Sequence, residues 1–208
     1  MKKDYLIFDF DGTIADTFEA ILKAVRSISK DYGMEKITDE DIKKFKEKGM
    51  RQLIKDLKIS LVKMATINRR IKAIINKDIA SLKSFPGLKE AFLELKKRGY
   101  SIGILTSNSK GNVEKFLKSN DLGFFEFIYS DSSLFGKDKV LKKLLREHNI
   151  KSNRVVYFGD EIRDIQAALK LNIKIVAVSW GFNSKKALEK YKPTHLLEKP
   201  SEILTLFS

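Results

Sequence analysis

Short runs of apolar residues alternate with stretches of helical periodicity along most of the chain. Tyr5-Leu6-Ile7-Phe8, Ser101-Ile102-Gly103-Ile104-Leu105, Phe127-Ile128-Tyr129, Val155-Val156-Tyr157-Phe158 and Ile175-Val176-Ala177-Val178 each read as a strand buried on both faces. Between them, helical patterns lie near residues 87–98, 110–119, 138–148 and 162–170. This alternation predicts an α/β fold, a doubly wound, Rossmann-like and mainly parallel sheet of five strands.

From about Thr17 to Ser84 no strand pattern is found. Helical patterns cover about 17–32, 39–46, 50–57 and 61–82. Thr38-Asp39-Glu40-Asp41 reads as a helix start, with Thr38 as N-cap and acids in the first turn. The expected organisation is a core built from residues 1–16 and 85–208, with an inserted helical bundle over 17–84. Phe85-Pro86-Gly87 marks the return into the core.

Composition sharpens this picture. The 208 residues are 43% hydrophobic, enough for a substantial core and against disorder. With no cysteine, disulfides and thiolate metal sites are excluded, which suits a reducing compartment. The apolar run Tyr5 to Phe8 is too short for a signal core or a membrane span, so a soluble cytoplasmic protein is expected. The net charge is +14. The stretch 17–84 holds 17 Lys/Arg against 9 Asp/Glu, a balance of +8. A solvated lysine-rich surface accounts for such an excess, and so does a field that attracts anions. No nucleic-acid-reading motif accompanies the charge, so a nucleic-acid partner is not expected.

Four polar elements follow predicted strands, where ligands collect in open α/β sheets. The first is Asp9-Phe10-Asp11-Gly12-Thr13. Residues two apart on an extended chain share a side, so Asp9 and Asp11 can face one site while Phe10 packs away. The same residues also suit an ordinary Asp-Gly turn. The second is Thr106-Ser107-Asn108-Ser109, whose hydroxyls and turn N–H groups can hold phosphoryl oxygens or simply cap a helix. The third is Lys137, after Gly136, placed to neutralise an anion or to lie on the surface. The fourth is Gly159-Asp160-Glu161-Ile162-Arg163-Asp164. Asp160 can be a helix N-cap, and Asp164, four residues on, shares its helix face. Carboxylates at a strand end suit Mg²⁺, a hard cation that takes oxygen ligands.

In this order and at these strand ends, the four elements resemble the haloacid dehalogenase (HAD) superfamily over nearly the whole chain. Asp9-Phe10-Asp11-Gly12-Thr13 is the most specific part, and Gly159-Asp160 with Asp164 the next. The inserted helices resemble the helical cap of the phosphoglycolate phosphatase-like branch, as does Val178-Ser179-Trp180-Gly181-Phe182. The resemblance implies an Mg²⁺-dependent phosphatase acting on a small phosphorylated substrate. Asp9 would be the nucleophile that forms an aspartyl-phosphate, and Asp11 the acid and then the base. Mg²⁺ would be held by the Asp9 side chain, the Asp11 carbonyl and Asp160, supported from behind by Thr13 and Asp164. Thr106, Ser107 and Lys137 would bind the transferring group. In this branch the lysine is often followed by proline, whereas Asp138 follows Lys137 here, so Lys139 is the alternative.

Arg51, between two cap helices, is the candidate specificity contact, with a role-free exposed arginine as the other reading. Inorganic pyrophosphatase and sugar phosphomutase are alternatives on the same scaffold. A non-catalytic binding protein with a basic cap is a more remote one. Asp11 argues against a dehalogenase, which lacks that acid. A monomer or homodimer is expected.

Overall fold

The computed structural model describes residues 4–32, 37–56, 60–131 and 136–207, except the side chains of 50, 51, 53–55 and 61. The Arg51 side chain, the expected specificity contact, therefore lies outside the described residues. Six strands form one sheet: β1 (Tyr5–Phe8), β2 (Ser101–Thr106), β3 (Phe127–Ser130), β4 (Val155–Gly159), β5 (Lys174–Val178) and β6 (His195–Leu197). Their spatial order is β3-β2-β1-β4-β5-β6, and every pairing is parallel.

The sheet exceeds expectation by one strand. His195-Leu196-Leu197 is three residues long, between Pro193 and Pro200, and lies at the edge. An apolar run that short is not visible as a strand in sequence. It forms because β5 offers it an open ladder, Val176 to Val178 against His195 to Leu197.

Parallel neighbours need crossovers, and helices supply them. These are α1 (Phe18–Ile28), α2 (Asp39–Asp56), α3 (Leu61–Lys77), α4 (Leu88–Lys97), α5 (Lys110–Ser119), α6 (Lys137–Glu147), α7 (Ile162–Lys170) and α8 (Lys185–Glu189). Strand side chains alternate between faces, and the core divides accordingly. Leu6, Phe8, Ile102, Ile104, Phe158, Val176 and Val178 meet Leu88, Phe92 and Leu95 of α4 and Val113 and Phe116 of α5. Ile7, Leu105, Val155, Tyr157, Ile175 and Ala177 meet Leu141 and Leu144 of α6 and Ile165 of α7 on the other face. Each fully buried aliphatic or phenyl side chain contributes about 1.5–3 kcal/mol. Both faces are thus covered, which is why the strands read as unbroken apolar runs.

From β1 the chain moves to β2 and β3 on one side, then returns to β4 on the other. The topological switch point therefore falls between β1 and β4. A crevice opens at their carboxyl ends, where crossovers leave in opposite directions.

Helices α1 to α3 lie between β1 and α4, where helices alone were expected. Thr38 caps α2 as predicted: its hydroxyl accepts from Asp41 N–H at 3.2 Å, and its N–H donates to the Asp41 carboxylate at 3.0 Å. Gly49 breaks α2 with a φ of 76°. The two connections to the core run side by side. Asp16 N–H donates to the Lys83 carbonyl at 2.9 Å, Phe85 N–H to the Ile14 carbonyl at 3.2 Å, and Ala15 bridges Ser84 antiparallel.

A second anchor holds the insertion at α2. Asn183, 1% exposed, donates from Nδ2 to the carbonyls of Phe45 and Lys46. Its Oδ1 accepts from Ile162 N–H at the start of α7, at 2.9 Å. Phe18, Phe45 and Phe182 pack around the same point with ring centroids 5.8–6.4 Å apart.

Candidate active site

Asp9 follows β1 at the switch point. Its N–H continues the ladder to the Phe158 carbonyl of β4 at 2.8 Å, which fixes where its side chain emerges. Phe10 turns into the core and meets Phe116 edge-on at 5.0 Å, as the alternation requires. Asp9 as a residue is 4% exposed. One oxygen accepts from Phe10 N–H at 2.8 Å and the other from Lys137 Nζ at 2.5 Å. Burial raises the Asp9 pKa, against the opposing pull of Lys137.

Asp11 is half-buried beyond it. Burial, reinforced by the negative charge of Asp9, pushes its pKa up to about 6. Gly12 then turns the chain with φ 78°. A Cβ there would collide with the Asp160 carboxylate, so only glycine lets these segments approach. Gly181 closes on Asp160 from the other side, and a Cβ there too would strike that carboxylate.

Asp160 follows β4 and is fully buried. Its oxygens accept from the Thr13 hydroxyl at 2.9 Å and Phe182 N–H at 2.8 Å. Burial, with Glu161 and Asp164 adding negative charge, holds its pKa well above the ordinary range. Glu161 and Asp164 form a reciprocal capping box at the start of α7. Asp164, also fully buried, accepts from Glu161 N–H at 2.9 Å and pairs with Lys137. Trp180 Nε1 donates to the Thr13 carbonyl at 3.1 Å, so the stretch after β5 wraps the same site.

Lys137 opens α6 and reaches both Asp9 and Asp164, with 14% of its side chain exposed. Burial lowers its pKa, but Asp164 and Asp9 outweigh that and the net shift is upward. Lys139, the alternative, is exposed. Thr106 ends β2 and is 2% exposed. Its hydroxyl oxygen accepts from Asn108 N–H at 2.9 Å, which leaves the hydroxyl hydrogen to donate to a ligand. Thr106, Ser107, Asp131, Lys137 and Arg163 line one cleft.

The structure thus gathers Asp9, Asp11, Thr13, Thr106, Ser107, Lys137, Asp160 and Asp164 at neighbouring strand ends. Three further participants were missed. Glu161 and Arg163 stood within the run Gly159 to Asp164 without a role, and they pair with each other. Lys72 of α3 donates to the Ser107 carbonyl, across a distance in sequence that no local pattern spans.

The donor set suits a hard divalent cation. Asp9, Asp160 and Asp164 each offer a carboxylate oxygen, and the three oxygens lie within 4.8 Å of one another. The carboxylates of Asp9, Asp11, Asp160, Glu161 and Asp164, with Asp131 at the cleft, outnumber the cations Lys72, Lys137 and Arg163, so negative charge is in excess when all are ionised. Burial first, and the excess of negative charge with it, raises the pKa values of Asp9, Asp11, Asp160 and Glu161.

The chain is similar to known proteins over nearly its whole length. A family model described as haloacid dehalogenase-like hydrolase matches residues 6–178. A phosphoglycolate phosphatase from Synechococcus elongatus is 30% identical over 200 residues, spanning 96% of this chain and 94% of that protein. Pyrophosphatase PpaX from Bacillus mycoides is 29% identical over 213 residues, 100% of this chain and 98% of that one. A haloacid dehalogenase-like family hydrolase from Streptococcus pneumoniae has the same fold, with a TM-score of 0.81 at 23% identity over 99% of both chains. The chain belongs to the haloacid dehalogenase-like hydrolase family.

Proposed function

We propose that this protein is a phosphatase that passes a phosphoryl group from a small phosphorylated substrate to Asp9 and then to water. The observation that carries this is the Asp9 carboxylate at the switch point, oriented by Phe10 N–H and Lys137 beside the buried Asp160 and Asp164. Mg²⁺ would be held by Asp9, Asp160 and the Asp11 carbonyl, with Thr13 and Asp164 in support. When bound, it would neutralise charge on the phosphoryl oxygens and lessen their repulsion of Asp9.

An Asp9 oxygen attacks phosphorus, and the bond to the leaving oxygen breaks. Asp11 gives its proton to that oxygen. A pKa of about 6 keeps a proton available near neutrality. Thr106 and Lys137 hold the transferring oxygens by donating to them. Asp11, now a carboxylate, takes a proton from water as that water attacks phosphorus. The Asp9–phosphorus bond breaks, which frees inorganic phosphate and restores Asp9. Covalent catalysis thus replaces one hindered displacement by two.

Residues 17–84 would act as a cap over a core of 1–16 and 85–208, excluding bulk water. The Lys72 contact and the α2 anchor support that division. No helix among the described residues is long and apolar enough to cross a membrane, and we place the reaction in the cytoplasm. Pyrophosphate hydrolysis by the same steps is the second reading, favoured by the relative named a pyrophosphatase.

The test is phosphate release from a panel of phosphomonoesters and pyrophosphate, with and without Mg²⁺. Release should require Mg²⁺ and vanish in Asp9→Asn. Undiminished turnover by Asp9→Asn would exclude the covalent mechanism.

A further inference from the structure

Beyond β5, the run Trp180-Gly181-Phe182-Asn183-Ser184 takes a different partner at nearly every residue. Trp180 Nε1 donates to the Thr13 carbonyl at 3.1 Å. Gly181 lies so close to the Asp160 carboxylate and the Gly12 carbonyl that a Cβ would strike both. Phe182 N–H donates to Asp160 Oδ2 at 2.8 Å, and Asn183 N–H to the Asp160 carbonyl at 3.3 Å. Asn183 Nδ2 then reaches the Phe45 and Lys46 carbonyls of α2, each at 3.2 Å. Ser184 N–H joins the Lys46 carbonyl at 2.8 Å. Within five residues the chain passes from the carboxylate cluster to an inserted helix.

Two side chains make that passage tight. The Phe182 ring is buried against Phe18 and Phe45, while its own N–H holds Asp160. Asn183, also buried, uses both ends of its amide: Oδ1 accepts from Ile162 N–H at 2.9 Å, and Nδ2 donates to α2. The ends cannot trade places, because one only accepts and the other only donates. The orientation that satisfies α7 is therefore the one that needs the α2 carbonyls. Lifting α2 would leave Nδ2 buried without a partner and strip Phe182 of Phe45. Both residues would then hold Asp160 less firmly. A cation bound at Asp160 fixes the same run from its other end, and such linkage is reciprocal.

We propose that Phe182 and Asn183 are positioning residues that join the carboxylate cluster to α2, so that a divalent cation at Asp160 and the seating of α2 favour each other. This rests on the cation reading of the carboxylates above, and on no particular substrate.

The test uses Mg²⁺ alone, with its affinity measured by isothermal titration calorimetry. Phe45→Ala removes a ring from α2 and leaves every residue at the carboxylates in place. It should weaken Mg²⁺ binding by about five- to tenfold, and Phe45→Leu should restore most of the loss. Leu95→Ala, a buried truncation in α4, should leave the affinity within about twofold. In the wild type, saturating Mg²⁺ should slow amide hydrogen exchange over residues 41–48 by a similar factor, and Asp160→Asn should abolish that slowing. An unchanged Mg²⁺ affinity in folded Phe45→Ala would overturn the proposal, as would exchange in α2 that ignores Mg²⁺. Equal losses in Phe45→Ala and Leu95→Ala would mean general loosening of the fold, and would overturn it too. Wild-type protein that binds no Mg²⁺ would overturn the cation reading, and this proposal with it; the other failures leave that reading standing.

Discussion

At the scale of residues, two near-identical choices separate cleanly. Lys137 and Lys139 are two positions apart, yet only the first reaches Asp9; the second is exposed. Lys137→Met should reduce kcat by about 10²–10³-fold, and Lys139→Met should leave it within about twofold, by steady-state phosphate release. Asp11 carries a pH signature. Its pKa is raised to about 6, so it is protonated below that value and ionised above it. In the proposed mechanism the first step needs the proton. Rapid-quench formation of the phosphoenzyme from an alkyl phosphate should therefore slow as pH rises through about 6. An aryl phosphate, whose leaving group needs no proton, should show a flatter profile. Asp9, Asp11, Thr106 and Asp160 were legible in the sequence because each stands at or just beyond an apolar run that announces a strand end, and Lys137 only through its place in the order of the four elements. Lys72 and Asn183 were not. One lies within a helix and the other in a loop after β5, and only tertiary packing brings them near the strand ends.

At the scale of elements, periodicity located α1 to α3 of the insertion and the four core helices from α4 to α7 to within a few residues. It failed at β6, where three residues between prolines carry too little pattern. It also could not show how the insertion meets the sheet. Asn183 makes that junction by donating to the exposed end carbonyls before the Gly49 break and accepting from the first N–H of α7. Asn183→Ala removes the acceptor of the Ile162 N–H and a donor to the Phe45 carbonyl, while the Lys46 carbonyl keeps the Ser184 N–H at 2.8 Å. The expected cost is about 1–3 kcal/mol in urea unfolding, with faster hydrogen exchange at Ile162. Because α7 begins beside Asp160, the same variant should also weaken cation binding.

At the scale of the whole molecule, the fold concentrates carboxylates where two crossovers diverge, and does so in a chain of net charge +14. The local deficit of positive charge opposes folding until a cation fills it. Mg²⁺ at about a hundred times its Kd should add about 2.7 kcal/mol and raise Tm by about 5–10 °C. Asp160→Asn should abolish that increment in a thermal melt, since it removes one of the charges that attract the ion. The paired connections at Ala15 and Ser84 have a different consequence. The inserted helices leave and re-enter the sheet at adjacent, antiparallel backbone positions, so the loop they form has almost no span to bridge. A two-residue turn could join those positions directly. We therefore propose that residues 17–84 can be exchanged as a unit for the matching segment of a relative, provided that segment also offers carbonyls to Asn183 and apolar side chains to the core at the places of Ala24, Ile75 and Ile79.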